Sequence, residues 1–551
     1  MRVNVDSIQV ELTDKDLLGA GGQGQVFAKG DIAYKIYTDP QYMLPLDKIK
    51  ELQAVHHDKI VKPLAIIKGM KGDAIGYTMK CIKKAAALCQ LYARPFRETH
   101  QIEQDSIQEL VNTMVDIVQA AHRAKTLIVD LNEMNFMVKG QKYEELYAID
   151  VDSWQTPHYP AQAIMPSVRD HHTKGFNEGS DWFSFAIVSF QLYIGIHPYR
   201  GKHPTLKGFE ERMKANASVF RKDVRIPACC YPFDIIPKEL RTWYENVFEK
   251  GIRTAPGVSG IIVVIPEFII PAPVSNKAMS ITQIDVFSEN IIRVFQGGIP
   301  LFVAKGRCYY GGRTLLTQPE GFLTDGDRKY LVTLSNGKLK VISSDAKQST
   351  EEINADGILQ IGTRVLIKTN QQLSEVKVLE GYAVQVMLND LGQVMPNATI
   401  HLGCIIQEML GAKVLIASPT SGIVYQSVLK ELSKYRIIKA KLEKNVLMVA
   451  SELKGEYYKH IFKFNDIFDE YSVMEKKFDA IPSINFIVTE KGVVAHIDEE
   501  ENLLLFPGKM GSTAIKNVDS EGALSLNDIL YIDGGSVMFV RGKKSYRLQV
   551  K

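Results

Sequence analysis

The sequence predicts a multidomain protein in which an α+β domain with two lobes precedes an all-β repeat domain. A chain of 551 residues is too long for one ordinary hydrophobic core, which indicates two or more domains. Up to about residue 256, short strand-like alternation gives way to long helical patterns. After about residue 280, short β-rich runs alternate with polar turns. We therefore expect one domain over 1–256, a proline-containing linker over 257–280 and a second domain over 281–551.

The composition indicates a globular protein of a reducing compartment. Hydrophobic residues make up 45% of the chain and charged residues 23%, and the net charge of +3 comes from scattered Lys and Arg, so we expect no nucleic-acid surface. Six cysteines without a C-x-x-C pair favour a cytoplasmic setting. Residues 1–14 lack the apolar core of a secretory leader. The apolar run 260–274 is too short and too rich in proline for a membrane span, so no membrane contact is expected.

The first candidate site is a glycine-rich loop between two strand-like segments. Its spacing is G-x-G-x-x-G-x-V, and its residues are Gly19, Gly21, Gly22, Gly24 and Val26. Ala33 and Lys35 lie on the alternating segment that follows. Glycines let backbone amides approach phosphates closely, and a lysine supplies a positive charge to them. Neither a Rossmann turn nor a P-loop has this context. A glycine-containing hairpin beside a surface lysine stays open as the alternative.

Two acidic clusters follow in the chain. Apolar residues recur every three or four positions over 106–124, which predicts a helix, and a loop with Asp130 and Asn135 comes next. Phosphoryl transfer needs a carboxylate to accept a proton and an amide oxygen to hold a metal, and this spacing brings the two side chains to one site. Asp150 and Asp152 then end an apolar strand, where a second metal ligand is expected. We choose Asp150 as that ligand, with Asp152 as the second choice.

The order of these clusters resembles that of a protein-kinase-like domain, with lobes over about 13–82 and 83–256. The segment "SDWFSFAIVSFQLYIGIHPYRG" resembles the kinase helix whose buried aspartate, here Asp181, holds the catalytic loop, and "VFEKGIRTAP" gives Arg253 the place of a structural arginine. The segment "GDAIGYTMKCI" resembles the last strand before the hinge. The hinge residues are then the gatekeeper Met79 followed by Lys80, Cys81 and Ile82.

The patterns D-L-N-x-x-N, I-D-x-D-S-[FW]-Q and G-x-H-P-[FY] resemble those of an atypical bacterial and phage kinase family. The resemblance covers less than half of the chain. It implies an ATP- and Mg²⁺-dependent serine/threonine protein kinase, with nucleotide bound by the glycine loop and the hinge. Lys35 would orient the phosphates and Asp130 would accept the hydroxyl proton. Asn135 and Asp150 would hold Mg²⁺.

The chain departs from the kinase pattern at several positions. Ile128 and Val129 replace the usual His and Arg before Asp130, which argues against control by a phosphorylated loop. Asn132 takes the place of a lysine that contacts the γ-phosphate, and we include it among the catalytic candidates. Lys48 stands where the glutamate partner of Lys35 is expected, and we choose the nearby Glu51 instead.

These departures keep two further functions open. One is a pseudokinase scaffold whose C-terminal half mediates protein interaction. The other is a small-molecule kinase, which the absence of A-P-E and the presence of Asn132 allow. The presence of Lys35, Asp130, Asn135 and Asp150 favours an active protein kinase over both.

The C-terminal half contains a recurring strand–turn–strand pattern. Seven such runs begin at residues 301, 330, 365, 414, 446, 486 and 529. A hairpin every ~40 residues is typical of β-propeller blades, so we expect a propeller of six or seven blades, with stacked β-sandwiches as the alternative. We expect this half to bind a protein substrate or partner, and the sequence leaves the oligomeric state open.

Overall fold

The computed structural model describes residues 1–6, 8–20, 24–161, 164–227, 229–257, 272–345, 348–350, 352–379 and 384–551. The chain divides into two compact units, and the division falls within 258–271. Most of the predicted linker 257–280 and of the apolar run 260–274 lies outside the described residues. No described helix has both the length and the apolar character that a bilayer crossing requires.

The first unit begins with a seven-stranded antiparallel sheet in the order β2-β1-β6-β7-β5-β4-β3. Its strands are β1 (Arg2–Val5), β2 (Ile8–Glu11), β3 (Leu17–Ala20), β4 (Gly24–Lys29), β5 (Ile32–Tyr37), β6 (Ile66–Lys68) and β7 (Ala74–Lys80). Helix α1 (Leu46–Gln53) connects β5 to β6. Ile49 of α1 packs against Tyr37 and Tyr77, so the helix covers one face of the sheet. Residues two apart on a strand share a face, so Lys35 lies on the same face as Tyr37.

Helices dominate the rest of the first unit. They are α2 (Arg94–His100), α3 (Gln104–Arg123), α4 (Glu178–Ile194), α5 (Phe209–Lys214) and α6 (Lys238–Lys250). A small sheet of β8 (Ala86–Ala87), β9 (Phe136–Lys139) and β10 (Glu145–Ala148) has the order β10-β9-β8. The helix predicted over 106–124 is confirmed as α3, and the segment that resembles a kinase helix contains most of α4. Helix α4 is buried from Ser180 to Ile194, because its apolar residues leave no polar face for solvent.

The second unit contains seven four-stranded antiparallel sheets in the part that the structure describes. The first three are formed by β12 (Ile291–Phe295), β13 (Leu301–Ala304), β14 (Arg307–Tyr310) and β15 (Arg313–Leu315); β16 (Gly321–Asp325), β17 (Arg328–Ser335), β18 (Lys338–Ser343) and β19 (Ile353–Asn354); and β20 (Gly357–Ile361), β21 (Arg364–Thr369), β22 (Gln372–Leu379) and β23 (Gln385–Gln393). The next three are formed by β24 (Thr399–His401), β25 (Cys404–Met409), β26 (Ala412–Ala417) and β27 (Tyr425–Leu429); β28 (Arg436–Glu443), β29 (Val446–Leu453), β30 (Glu456–Phe464) and β31 (Tyr471–Phe478); and β32 (Asn485–Val488), β33 (Val493–Ile497), β34 (Leu503–Pro507) and β35 (Lys516–Val518). The seventh sheet joins β36 (Ile529–Asp533), β37 (Ser536–Arg541) and β38 (Lys544–Val550) to β11 (Met279–Val286).

The sheets of the second unit pack in a closed succession. Each sheet shares a hydrophobic cluster with the next one along the chain. A further cluster joins the seventh sheet to the first, with Tyr531 and Met538 packed against Ile291 and Phe302. Strand β11 pairs with β38, so the start and the end of the unit lie in one sheet. This arrangement is compatible with a β-propeller-like domain, and each of the seven predicted strand–turn–strand runs contributes strands to a different sheet.

Two glycines in turns of the second unit test how closely neighbouring sheets approach. Gly403 and Gly411 have positive φ values of 77° and 80°. A Cβ atom at Gly403 would lie 2.1 Å from the carbonyl oxygen of Leu442 in the next sheet, whereas nothing lies within 4 Å of one at Gly411. Gly411→Ala should cost only the left-handed backbone strain, about 1–2 kcal/mol. Gly403→Ala should cost a further 1–3 kcal/mol or so from overpacking. Urea unfolding of the full chain measures both losses, and equal losses would contradict this close approach.

Candidate functional site

Lys35 on β5 forms two ion pairs with the segment that follows β10. Its Nζ lies 2.9 Å from Oδ1 of Asp150 and 2.6 Å from Oδ2 of Asp152. The hydroxyl of Tyr37 donates to the same oxygen of Asp152 at 3.1 Å. Burial by itself would lower the pKa of Lys35, but the charges of Asp150 and Asp152 raise that pKa well above its ordinary value. The lysine is therefore held as a cation on one face of the sheet.

The predicted glycine loop is described only at its ends. Gly24 is buried, and a Cβ atom there would lie 2.5 Å from the carbonyl oxygen of Ile36. Only glycine therefore fits at this position, where β4 pairs with β5. Gly19 has open space around its Cα. Gly21 and Gly22 lie outside the described residues. In the register of the sheet, Val26 on β4 lies directly opposite Lys35.

The predicted hinge lies at the end of β7, which pairs with β5 on the side opposite to β4. Ala33 is buried and pairs with Met79. The amide of Cys81 donates to the carbonyl of Asp31 at 2.9 Å, which extends the pairing one residue beyond the strand. The Lys80 ammonium lies 4.9 Å from the centre of the Tyr147 ring. Ile82, the last predicted hinge residue, is partly buried.

Asp130 and Asn135 lie in the loop between α3 and β9. One carboxylate oxygen of Asp130 accepts a hydrogen bond from the amide of Met165 at 2.7 Å. The side-chain amide of Asn135 donates to the carbonyl of Asp130 at 3.0 Å and to its carboxylate at 3.4 Å. The carbonyl of Asn135 accepts from the amide of Ile149 at 2.9 Å, which places Asn135 beside Asp150. Burial raises the pKa of Asp130, and the nearby charge of Asp150 adds to that rise.

A buried carboxylate on α4 holds the start of this loop. Asp181 has no exposed surface. Its Oδ2 accepts from the amide of Ile128 and its Oδ1 from the amide of Val129, each at 2.8 Å. Nε2 of His122 lies 2.9 Å from Oδ2. Val129 has a positive φ of 61°, an unfavourable conformation that these bonds stabilise. The role predicted for Asp181 is therefore the one that the structure assigns to it.

Asn132, a predicted catalytic residue, lies inside the loop. Asn132 is only 1% exposed. Its Oδ1 accepts from the amide of Met134 at 2.8 Å and its Nδ2 donates to the carbonyl of Asp130 at 3.3 Å. It shapes the loop from within, and its catalytic role stays a prediction.

Glu51 is not the partner of Lys35. Its carboxylate lies 2.5 Å from Nδ1 of His158, because its position on α1 directs it to the segment after Asp152. The acids paired with Lys35 in the described structure are Asp150 and Asp152.

Three polar residues that the sequence does not mark as site residues have buried or partly buried contacts: Lys48, Tyr37 and Asp170. The ammonium of Lys48 donates to the carbonyl of Asp152 at 2.8 Å, although the side chain is only 7% exposed. Asp170 forms a two-point ion pair with Arg253, at 2.6 and 3.1 Å. Burial tends to raise the pKa of Asp170, but the hydrogen bonds and charge of Arg253 bring it below its ordinary value. No local sequence pattern distinguishes Lys48, Tyr37 and Asp170 from polar residues at the surface, because their burial depends on the tertiary fold.

The acidic groups of the site fit a magnesium ion. Mg²⁺ prefers oxygen ligands and keeps several waters, so one or two protein ligands are enough when phosphates supply the others. The side chain of Asp150 is 52% exposed and lies beside Asn135. Oδ1 of Asp152 is buried without a hydrogen-bond partner among the described residues, and water has little access to it. Asp150 would thus be the better ligand of the two. No group of three or more His, Cys, Asp or Glu suited to a metal occurs in the described chain.

Comparisons with known proteins add no family assignment. No protein-family model matches the chain, and no curated protein is significantly similar to it. The functional argument therefore depends on the residues and their geometry.

The buried pair of Arg253 and Asp170 should stabilise the first unit strongly. Arg253→Gln leaves Asp170 buried without its cation, and we expect a loss of about 3–5 kcal/mol in the free energy of unfolding. Arg221→Gln is the matched control, because Arg221 holds Asp223 in the same two-point geometry at the surface. Its effect should be much smaller. Denaturant unfolding measures both variants, and similar losses would contradict the prediction.

The same pair predicts a pH dependence. In the wild-type protein the pKa of Asp170 is lowered, so the pair stabilises fully above the ordinary value of 3.8 and less as the pH falls through the folded value. In Arg253→Gln, burial remains without the arginine, so the pKa of Asp170 should rise and protonation should relieve the buried charge. The difference in unfolding free energy between the two proteins should therefore narrow as the pH is lowered from 7 towards 4. A difference that stays constant over this range would contradict the assignment.

Proposed function

We propose that the first unit is an ATP- and Mg²⁺-dependent phosphotransferase of the protein-kinase-like class that acts on serine or threonine hydroxyls of proteins. The observation that carries this proposal is the meeting of two sets of side chains. Lys35 from the sheet contacts Asp150 and Asp152, and the neighbouring loop holds Asp130 and Asn135. A cation, a metal-binding carboxylate and amide, and a positioned base are the groups that phosphoryl transfer requires.

Each group has a role that follows from its position. Lys35 would bind the phosphates with a charge fixed by its two carboxylates. The close approach of β4 and β5 at Gly24 would bring backbone amides to the same phosphates. Asn135 and Asp150 would hold Mg²⁺, which when bound supplies positive charge to the transferring phosphoryl group.

Asp130 would accept the proton of the attacking hydroxyl. Burial raises the pKa of Asp130, which makes its carboxylate a better base than an exposed aspartate. The Met165 amide and the Asn135 side chain hold the carboxylate at different oxygens, so its orientation is fixed before a substrate binds. Catalysis would then depend mainly on positioning and on charge stabilisation.

For the second unit we propose a seven-bladed β-propeller that binds a protein substrate or partner. The support is the closed succession of seven hydrophobic clusters and the pairing of β11 with β38, which would close the ring. Such a ring offers loops on two faces while its blades stay rigid, a form suited to protein recognition.

Substitution of the two acids with distinct roles tests the phosphotransferase proposal. With γ-labelled ATP and Mg²⁺, Asp130→Asn should lower the transfer rate by about 10²–10⁴-fold while nucleotide binding persists, because only the base is lost. Asp150→Asn should lower both transfer and Mg²⁺-dependent nucleotide binding. Asp116→Asn, an exposed aspartate on α3, is the control and should change neither. Autophosphorylation and a general protein substrate serve as readouts.

The outcomes separate the candidate functions. Transfer that survives both Asp130→Asn and Asp150→Asn would refute the roles given to these residues. A wild-type protein that binds ATP without transferring phosphate would support the scaffold alternative. A wild-type protein that binds no nucleotide would refute the proposal as a whole.

A further inference from the structure

We propose that Asp152 is the carboxylate that positions Lys35, that Lys48 fixes Asp152 in place, and that Asp150 is left to the metal. This division of roles rests on the proposed phosphotransferase function. It makes Asp152 and Lys48 positioning residues, and it places the acidic partner of the lysine in the segment after β10 instead of on helix α1.

The two carboxylates around Lys35 differ in their surroundings. Asp152 is the closer partner, at 2.6 Å, and its side chain is 8% exposed, compared with 52% for Asp150. Attraction between charges is stronger where water is excluded, so Asp152 holds the ammonium from within the protein, while Asp150 attracts it from the solvent side. Tyr37 donates to the same carboxylate oxygen, which restricts the side-chain rotation of Asp152.

Helix α1 contributes a cation to this arrangement. Lys48 extends to the carbonyl of Asp152 and donates to it at 2.8 Å. The helix is anchored on the sheet by Ile49, so the ammonium reaches Asp152 from a fixed base. The backbone of Asp152 is thus bonded to one lysine and its side chain to another.

The acids of α1 have other partners. The helix contains two, Asp47 and Glu51. Asp47 is 73% exposed and pairs with Lys50 at 2.8 Å, whereas Glu51 pairs with His158. Neither forms an ion pair with Lys35 in the structure described, so the helix supplies no carboxylate to the lysine.

The greater solvent exposure of its side chain assigns the metal to Asp150. Mg²⁺ keeps bound waters and needs room for them. The carboxylate of Asp150 is half-exposed, while Oδ1 of Asp152 is buried and Oδ2 already accepts from Lys35 and Tyr37. The two aspartates therefore carry separate tasks although only one residue stands between them.

Nucleotide binding by calorimetry, with Mg²⁺ and with EDTA, separates these tasks. Asp152→Asn should weaken nucleotide binding in both conditions and lower kcat/KM by about a hundredfold, because Lys35 is misplaced. Asp150→Asn should lose only the increment that Mg²⁺ gives. Glu51→Gln should resemble the wild-type protein. The inference is overturned if Asp152→Asn loses only the Mg²⁺ increment, or if Glu51→Gln weakens binding as much as Asp152→Asn does.

A second pair of variants tests the lysine on α1. Lys48→Met keeps the apolar stem but removes the bond to Asp152, and KM for ATP should rise several-fold. Lys62→Met is the matched control, because Lys62 also donates to backbone carbonyls, those of Gln53 and Val55, away from Lys35. A rise in KM for both variants, or for neither, would overturn the role of Lys48.

A thermal unfolding cycle tests the placement without nucleotide. Lys35→Met should lower Tm in the wild-type background, where it leaves Asp152 buried without its cation, and should have little effect in the Asp152→Asn background. Equal shifts in the two backgrounds would overturn the positioning of Lys35 by Asp152. If this coupling is found but the wild-type protein binds no nucleotide, the proposed function fails and the placement stands.

Discussion

A carboxylate without solvent contact must find hydrogen-bond donors inside the protein, and Asp181 finds them in the loop that carries the candidate base. The amides of Ile128 and Val129 bond to it, and Val129 adopts a left-handed conformation to do so. This constraint sets the direction in which the chain leaves α3. The positions of Asp130 and Asn135 follow from it, since they lie only a few residues further on. Because α4 is buried along most of its length, Asp181 holds the loop from a helix that lies inside the unit.

The second constraint is the pairing of Lys35 with carboxylates more than a hundred residues away. It links the sheet to the segment after β10, and the contact between Lys48 and Asp152 links α1 to that same segment. Sheet, helix and loop therefore meet at one group of charges. Such a group is stable only when every buried charge has a partner, so the geometry of each element limits that of the others.

The parts of the structure set by local pattern could be predicted from the sequence, and those set by tertiary contact could not. The periodicity of α3, the apolar length of α4 and the strand–turn–strand run in each of the seven sheets are local signals. The pairing of β11 with β38 joins residues at opposite ends of the second unit, so no local signal encodes it. The proximity of Asp130, Asn135 and Asp150 could be predicted from their spacing. Glu51 was chosen wrongly because helix spacing does not say which way a helix faces, and the burial of Asn132 depends on how the loop folds around it.

The departures from the kinase pattern can be understood together through charge balance. Where the kinase pattern has a glutamate on the helix, this chain has Lys48, and it has a second aspartate, Asp152, two residues after Asp150. Lys48 needs only the backbone carbonyl of residue 152, which any residue there would supply, but with Lys48 on the helix Lys35 would lack its closest acid unless Asp152 were present. Together they keep Lys35 paired while moving its acid from the helix to the loop. The lysine then keeps its place only while the segment after β10 keeps its own, so nucleotide binding would depend on the order of that segment and on the bond that Lys48 of the helix makes to it.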